Sequence, residues 1–420
     1  MQTLGIVLFA LAIGVSIMLH EAGHMLTAKR YGMKVTQYFV GFGPTLWSFR
    51  RGETEYGLKA IPAGGFVKII GMTPQEKLDP EDEPRAMWRQ PIGRRTVVLA
   101  AGSMTHFALT LVLIYLAAVF ATLPNLDYNE QLERKRDATV VGAVSACFTP
   151  QGESVEDAAS CSAGDIAAPA AKGGLLPGDR VVSVDGKATG DWPAVTEAIR
   201  AVPAGRTAAF VVERDGATKT LEITPVAVPV TDAAGKVVEG ETAVRVGVTV
   251  DLPTVPSNQS YGPVAAVPAT LDFTWSLVER TFTAIKNFPS KVPGLIDAIT
   301  GQERDPEGPI SVVGASRIGG DAAEIGGEPG LAMFLLILAS LNLFIGVFNL
   351  FPLLPLDGGH IAVIWFEKWR SWRAVRRGRP DPGRVDYNKL MPVTLVVVFV
   401  FATISLLAIT ADIVNPLRLN

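Results

Sequence analysis

SIMLHEAGHMLTAKR, residues 16–30, closes an apolar run long enough to enter a bilayer with two histidines and a glutamate. Ionisable side chains at membrane depth cost ~2.5–3.5 kcal/mol each on insertion scales, so their presence asks for a use. His20-Glu21-Ala22-Gly23-His24 matches H-E-x-x-H. On a helix, residues i and i+4 stand about 40° apart, so both imidazoles can reach one metal ion. Glu21 stands beside them as a base for water that a bound metal acidifies toward a pKa of ~7. The same five-residue pattern arises by chance in soluble chains. Three ionisable residues inside an apolar run make chance the weaker explanation.

The surrounding chain supports a membrane setting. Its 420 residues are 48% hydrophobic and 19% charged, with a mean hydropathy of +0.29. Four apolar runs, roughly Thr3–Ala28, Val97–Leu123, Leu331–Leu354 and Met391–Thr410, reach the ~17–25 residues that a bilayer core requires. MQTLG lacks a basic start and no small-x-small cleavage site follows, so a removable signal peptide is the weaker reading. The net charge of −3 decides little. Lys29, Arg30, Lys34, Arg50, Arg51, Arg94 and Arg95 crowd one loop; Arg370, Arg373, Arg376, Arg377, Arg379 and Arg384 crowd another. The positive-inside rule places both in the cytoplasm and the stretch from about Pro124 to Gly330 outside. Cys147 and Cys161 fall in that outer stretch, as a disulfide or as two free thiols, and neither belongs to a CxxC zinc pair. No nucleic-acid motif is present.

Residues 35–71 alternate apolar and polar positions between glycines and prolines, which reads as strands and tight turns. Gly41 and Gly43 flank Phe42 at a point where the backbone either bends or comes close to another chain. This is either a cytoplasmic hairpin or a re-entrant loop lining a wet cavity. Pro74–Arg89 reads as a solvated linker. Ala138–Val250 reads as a β-rich globular domain, with Ser154–Ala171 a flexible Ala/Ser-rich insertion. Pro268–Thr300 reads as amphipathic helices broken at Pro289 and Pro293, lying on the membrane or on a neighbouring domain.

Two histidines do not complete a catalytic metal site, which wants three protein ligands and an open position. FNLFPLLPLDGGHI, residues 348–361, offers the third. Pro352 and Pro355 break the helix, Gly358 and Gly359 allow a sharp turn, and an unwound stretch lets Asp357 swing toward His20 and His24. Asn349 is placed to hold a substrate carbonyl or a developing oxyanion. His360 either orients the aspartate or ends a helix quietly; His106 reads as a hydrogen-bonded structural histidine.

HEAGH, the Gly41-Phe42-Gly43 loop, a single outer domain and N-x-x-P-x-x-P-L-D-G-G from Asn349 to Gly359 resemble the site-2 protease family of intramembrane zinc metalloproteases. The nearest likeness is to bacterial members that cleave anti-sigma factors. The resemblance implies one zinc ion held by His20, His24 and Asp357, with Glu21 as base and Asn349 handling substrate. It implies that the loop at Gly41, Phe42 and Gly43, with Pro352 and Pro355, holds an unwound substrate, since a helix hides its peptide bonds. KGGLLPGDRVVSVDGKA, residues 172–188, resembles part of a PDZ domain that filters substrates by size or captures a new carboxyl terminus. Where the family often carries A-G-P-x-x-N, this chain has Ala101-Gly102-Ser103-Met104-Thr105-His106.

The expected architecture is an α-helical polytopic membrane protein with four spans, a re-entrant β-loop and an extracytoplasmic α+β PDZ-like domain. The segments are 1–30 with H-E-x-x-H, 31–95 with the β-loop and linker, 96–123, the PDZ-like domain at 138–250, amphipathic helices at 251–330, 331–360 with the second motif, a basic loop at 361–390, and 391–414. The expected activity is hydrolysis, in the bacterial inner membrane, of a single-pass membrane protein such as an anti-sigma factor, with the bilayer as the other partner and no nucleic acid. The rivals are a scaffold acting through the PDZ-like domain and a metal or ion transporter, which would need polar residues spread over several spans.

Overall fold

The computed structural model describes residues 1–72, 76–231, 237–302, 304–305 and 308–417. Thr73–Gln75 of the linker and residues 232–236 of the outer stretch lie outside the described residues. The chain divides into two compact units, one formed by Met1–Leu123 with the chain from Ser260 on, the other by Pro124–Gln259.

In the first unit, helix α1 spans Gln2–Arg30, strands β1 and β2 span Val35–Arg51 and Thr54–Ile69, and helix α2 spans Ile92–Phe120. Strands β1 and β2 are long and bent, so one hairpin folds back on itself. Residues 35–40 pair with 65–69 (Val35 opposite Ile69, Val40 opposite Gly65) and also lie beside 55–58, while 45–51 pair with 54–59. The bend falls at Gly41 and Gly43, whose φ angles of +86° and +83° suit residues without a Cβ. Residues 65–69 therefore form one edge of the sheet. Met25, Ala28, Met33, Val35 and Ile69 bury the base of the hairpin against Val98 and Leu99 of α2.

In the second unit, helix α3 covers Leu126–Asp137 and strand β3 covers Val141–Val144. Strands β4 (Cys147–Phe148), β5 (Ser154–Val155) and β6 (Ile166–Ala167) form a small sheet in the order β5-β4-β6, crossed by a Cys147–Cys161 disulfide. The segment expected to be a flexible insertion is thus ordered, because a covalent staple and a sheet compensate for its weak composition. Helix α4 (Pro169–Lys172), strands β7 (Arg180–Val184) and β8 (Lys187–Ala188), helix α5 (Trp192–Ala201) and strands β9 (Ala208–Arg214) and β10 (Ala217–Ile223) follow, with sheet order β10-β9-β7-β8. Strands β11 (Val226–Thr231) and β12 (Val237–Arg245) pair with each other, and β13 (Val248–Val250) pairs with β3. Val181, Val184, Val195, Ile199, Phe210, Val212 and Ile223 form the core. Asp179, with its side chain 1% exposed, is held by Arg214 through contacts of 2.6 and 2.7 Å.

Back in the first unit, helices α6 to α11 span Ala266–Lys291, Pro293–Ile299, Val312–Ile325, Gly327–Asn349, Asp357–Arg376 and Met391–Val414. Pro289 lies inside α6 without breaking it, near the end where only one ladder bond is lost; Pro293 opens α7, where its missing N–H costs nothing. Among the described residues, four helices, α1, α2, α9 and α11, are long and apolar enough to cross a membrane. The third ends at Asn349, earlier than Leu354, because Pro352 cannot continue the ladder. The unwound stretch is residues 350–356, and it stops just short of Asp357. Asp357 is the first residue of α10, after a turn at 350–356 with a cis Leu354–Pro355 bond. Gly358 and Gly359 are helical, and their value is space: a Cβ on Gly358 would fall 2.2 Å from the Leu350 carbonyl oxygen.

Helix α10 is tied to α2 by Arg95 and Glu367, a buried pair 3.7 Å apart, and by the Trp365 indole N–H donating to Thr96 Oγ1. Helix α11 buries Ala408, Ala411 and Asp412 and leaves Val393, Leu395, Val396 and Phe399 exposed. Asp412 is a charge in a span that the sequence reading passed over. It pairs with Arg304 at 2.6 Å and accepts from the Ser311 N–H, so the charge is compensated where it is buried.

Candidate metal and active site

The helix α1 places His20 and His24 one turn apart, 7% and 5% exposed. Their Nε2 atoms stand 3.2 Å apart. The His24 Nδ1–H donates to the Val98 carbonyl oxygen at 2.7 Å, which leaves its Nε2 lone pair facing the other ring. Asp357, at the start of α10, brings its Oδ2 to 3.5 Å from His20 Nε2 and 3.3 Å from His24 Nε2. That oxygen is buried with no hydrogen-bond partner among the described residues. Two imidazole nitrogens and a carboxylate oxygen from segments more than 330 residues apart thus converge.

These atoms fit a zinc ion. The point equidistant from three atoms 3.2–3.5 Å apart lies about 1.9 Å from each, close to the ~2.0–2.2 Å of zinc–nitrogen and zinc–oxygen bonds. A buried, unpartnered carboxylate oxygen facing two imidazole nitrogens is otherwise costly; a divalent cation satisfies all three.

Glu21 lies next to His20 on the side of the β-sheet. The sheet edge at 65–69 comes to it: a Cβ on Gly65 would stand 3.3 Å from Glu21 Cγ and 3.1 Å from the Phe39 carbonyl oxygen. The Val67 backbone lies beside the Glu21 carboxylate, and the Tyr38 hydroxyl donates to the Met18 carbonyl oxygen. The bend at Gly41, Phe42 and Gly43 is not itself drawn to these groups. Phe42 is 44% exposed and stacks near Phe66. The segment beside the base is Gly64-Gly65-Phe66-Val67, whose paired glycines were the only sequence signal of a close approach.

Asn349 ends α9, half-buried, and its side chain makes no hydrogen bond among the described residues. Pro352 borders two apolar cavities. One, of about 510 Å³, lies between α2, α6 and α9 and is lined by Phe107, Leu111, Phe282, Leu343, Val347 and Phe351 among others. The other, of about 310 Å³, lies between α10 and the start of α11 and also takes in Leu354. His360 stacks on Tyr387 with ring centres 5.9 Å apart; burial holds its imidazole below the ordinary value, against the pull of Asp357. His106 is buried with its Nδ1 2.8 Å from Asn342 Oδ1 and its ring centre 5.0 Å from that of His20. Asn342, fixed in turn by the Leu338 carbonyl oxygen, was not singled out in the sequence, because a lone amide in a span gives no pattern.

The model of peptidase family M50 matches residues 8–379 of the chain. Zinc metalloprotease Rip1 of Mycolicibacterium smegmatis is 43% identical over 423 residues, covering 99% of this chain and 98% of the relative. Rip1 of Mycobacterium tuberculosis is 43% identical over 425 residues with the same coverage. The regulator of sigma E protease of Salmonella typhimurium is 27% identical over 435 residues, covering 86% of this chain and 90% of the relative.

Proposed function

The chain belongs to peptidase family M50, and from that premise we propose how its own residues carry the reaction. It is a zinc metalloprotease with four membrane-crossing helices, of the kind that works on peptide bonds within the membrane. We assign zinc to His20, His24 and Asp357, on the convergence of their three donor atoms. When bound there, zinc acidifies a water and polarises the peptide carbonyl.

Glu21 takes the proton from the attacking water at its carboxylate and passes it to the leaving amine. The Val67 backbone, at the sheet edge, lies beside the Glu21 carboxylate. A transmembrane substrate must unwind before attack, and the edge at 65–69 offers it a strand partner. We carry the substrate-holding role from the Gly41–Gly43 bend to this edge, with the bend setting its course. Pro352 and Pro355 shape the turn that delivers Asp357, and Asn349 holds the substrate carbonyl. The apolar cavity between α2, α6 and α9 suits the part of the substrate that stays helical.

The substrate class we favour is a single-pass membrane protein, an anti-sigma factor, in the bacterial inner membrane, with the second unit outside and the site toward the cytoplasmic face. Support comes from the basic loops at 29–95 and 370–384 and from the relative named as a sigma E regulator. In the second unit, residues 138–250 form a PDZ-like domain on our reading. Helix α5 and β13, which pairs with β3 on one side, flank a cavity of about 270 Å³ lined by Trp192, Thr196, Arg200, Val246 and Val248, suited to a captured chain end.

The test is a comparison of membrane peptides in cells carrying the native enzyme or Glu21→Gln. Turnover should fall by about 10²–10⁴-fold, zinc content should stay, and a transmembrane stub should accumulate. Unchanged turnover ends the assignment of Glu21.

A further inference from the structure

Helix α10 begins at Asp357 and ends in a basic, aromatic stretch that the reaction does not use. Trp365, Trp369 and Trp372 recur at helical spacing on one face and are 52%, 47% and 49% exposed. The helix joins two membrane-crossing helices, α9 and α11, and is not itself apolar enough to cross. It therefore lies at a bilayer face, where tryptophan sits at headgroup level. The Arg373 guanidinium lies 5.2 Å from the Trp369 ring centre and that of Arg376 lies 4.1 Å from Trp372. A stacked guanidinium keeps its edge N–H groups for a phosphate.

Among the described residues, no carboxylate pairs with Arg373, Arg376 or Arg377. The neighbouring acids are engaged elsewhere: Glu367 faces Arg95 and the Val385 N–H, and Asp381 accepts from Ser371 and the Gly383 N–H. We propose that this face of α10 binds the headgroups of anionic phospholipid, with the three tryptophans at the interface and Arg373, Arg376 and Arg377 on the phosphates. The helix that carries Asp357 is thereby anchored at the membrane surface. Uncompensated cations beside interfacial tryptophans fit a bilayer better than an acidic protein segment, which would leave the indoles uncovered. The inference rests on the four spans and not on the proteolytic reading.

The test uses the purified full-length protein in detergent with an equal mixture of phosphatidylglycerol and phosphatidylcholine, the retained lipids being counted by native mass spectrometry. Phosphatidylglycerol should be retained roughly tenfold over phosphatidylcholine. The preference should vanish in Arg373→Gln/Arg376→Gln/Arg377→Gln, whose exposed positions leave the fold alone. In bilayers of brominated phosphatidylglycerol, tryptophan quenching should drop in Trp365→Phe/Trp369→Phe/Trp372→Phe. Equal retention of the two lipids, a preference that survives the arginine changes, or quenching that is unaltered by the tryptophan changes overturns the proposal. Zinc content and proteolysis are separate readouts, so failure here leaves the active-site assignment standing.

Discussion

Gly102 of α2 faces His24 so closely that a methyl group at position 102 would stand 2.5 Å from the His24 Nε2 atom. The same methyl would lie 2.5 Å from His20 Cε1. No side chain except hydrogen leaves the two imidazoles room to face each other. Gly102→Ala should therefore lower bound zinc well below one ion per chain, seen by elemental analysis, and remove activity with it. Gly93→Ala, in the first turn of the same helix with open space around it, should keep both.

The sheet edge offers a change that spares the metal. A Cβ at Gly65 meets the Phe39 carbonyl oxygen at 3.1 Å and Glu21 Cγ at 3.3 Å, so Gly65→Ala must shift the edge or the base by a few tenths of an ångström. Turnover should fall by about tenfold with zinc content unchanged. A loss of zinc in that variant would mean that the edge supports the ligands rather than the base.

Asp179 gives the second unit an acid limit. Burial works to raise its carboxyl, but the paired Arg214 contacts and the Leu176 N–H prevail and hold it below the ordinary value. A depressed folded-state pKa contributes stability that is complete above the unfolded value of about 3.9 and is lost as pH falls through the lower, folded value. Hydrogen exchange at amides 180–184 of the full chain should thus accelerate below about pH 4. Asp179→Asn should destabilise the second unit at pH 7 and abolish this acid sensitivity, since it removes the charge that Arg214 pairs with.

The Cys147–Cys161 disulfide closes a loop of sequence separation 14, worth about 3 kcal/mol on the chain-entropy account. Replacing both cysteines with serine should open residues 147–167 to proteolysis, measured by limited digestion and mass mapping. Zinc content should not change.

What the sequence made legible was what short spacing governs. His20 and His24 announce a shared ion because a helix turns through a fixed angle, and the four apolar runs announce spans because bilayer thickness is fixed. The third span ended early for a reason visible in Phe351-Pro352, but the helical state of Asp357-Gly358-Gly359 was misread. Glycines that signal a turn when exposed serve as packing space when another backbone lies against them, as Leu350 does here. Asn342 beside His106 is a pairing across 236 residues, and Val67 beside Glu21 is a contact between a helix and a sheet edge. Nothing local encodes either one. Asp412 escaped because the apolar run stops at Thr410 and its partner, Arg304, lies 108 residues away in the sequence.

The last helix carries one more implication. Its snug contacts gather near Ala408, Ala411 and Asp412, while Val393, Leu395, Val396 and Phe399 meet no core. The opening turns of this helix therefore lean on little of the protein's interior, and exchanging one of these apolar side chains for another of similar size should cost the fold less than about 0.5 kcal/mol.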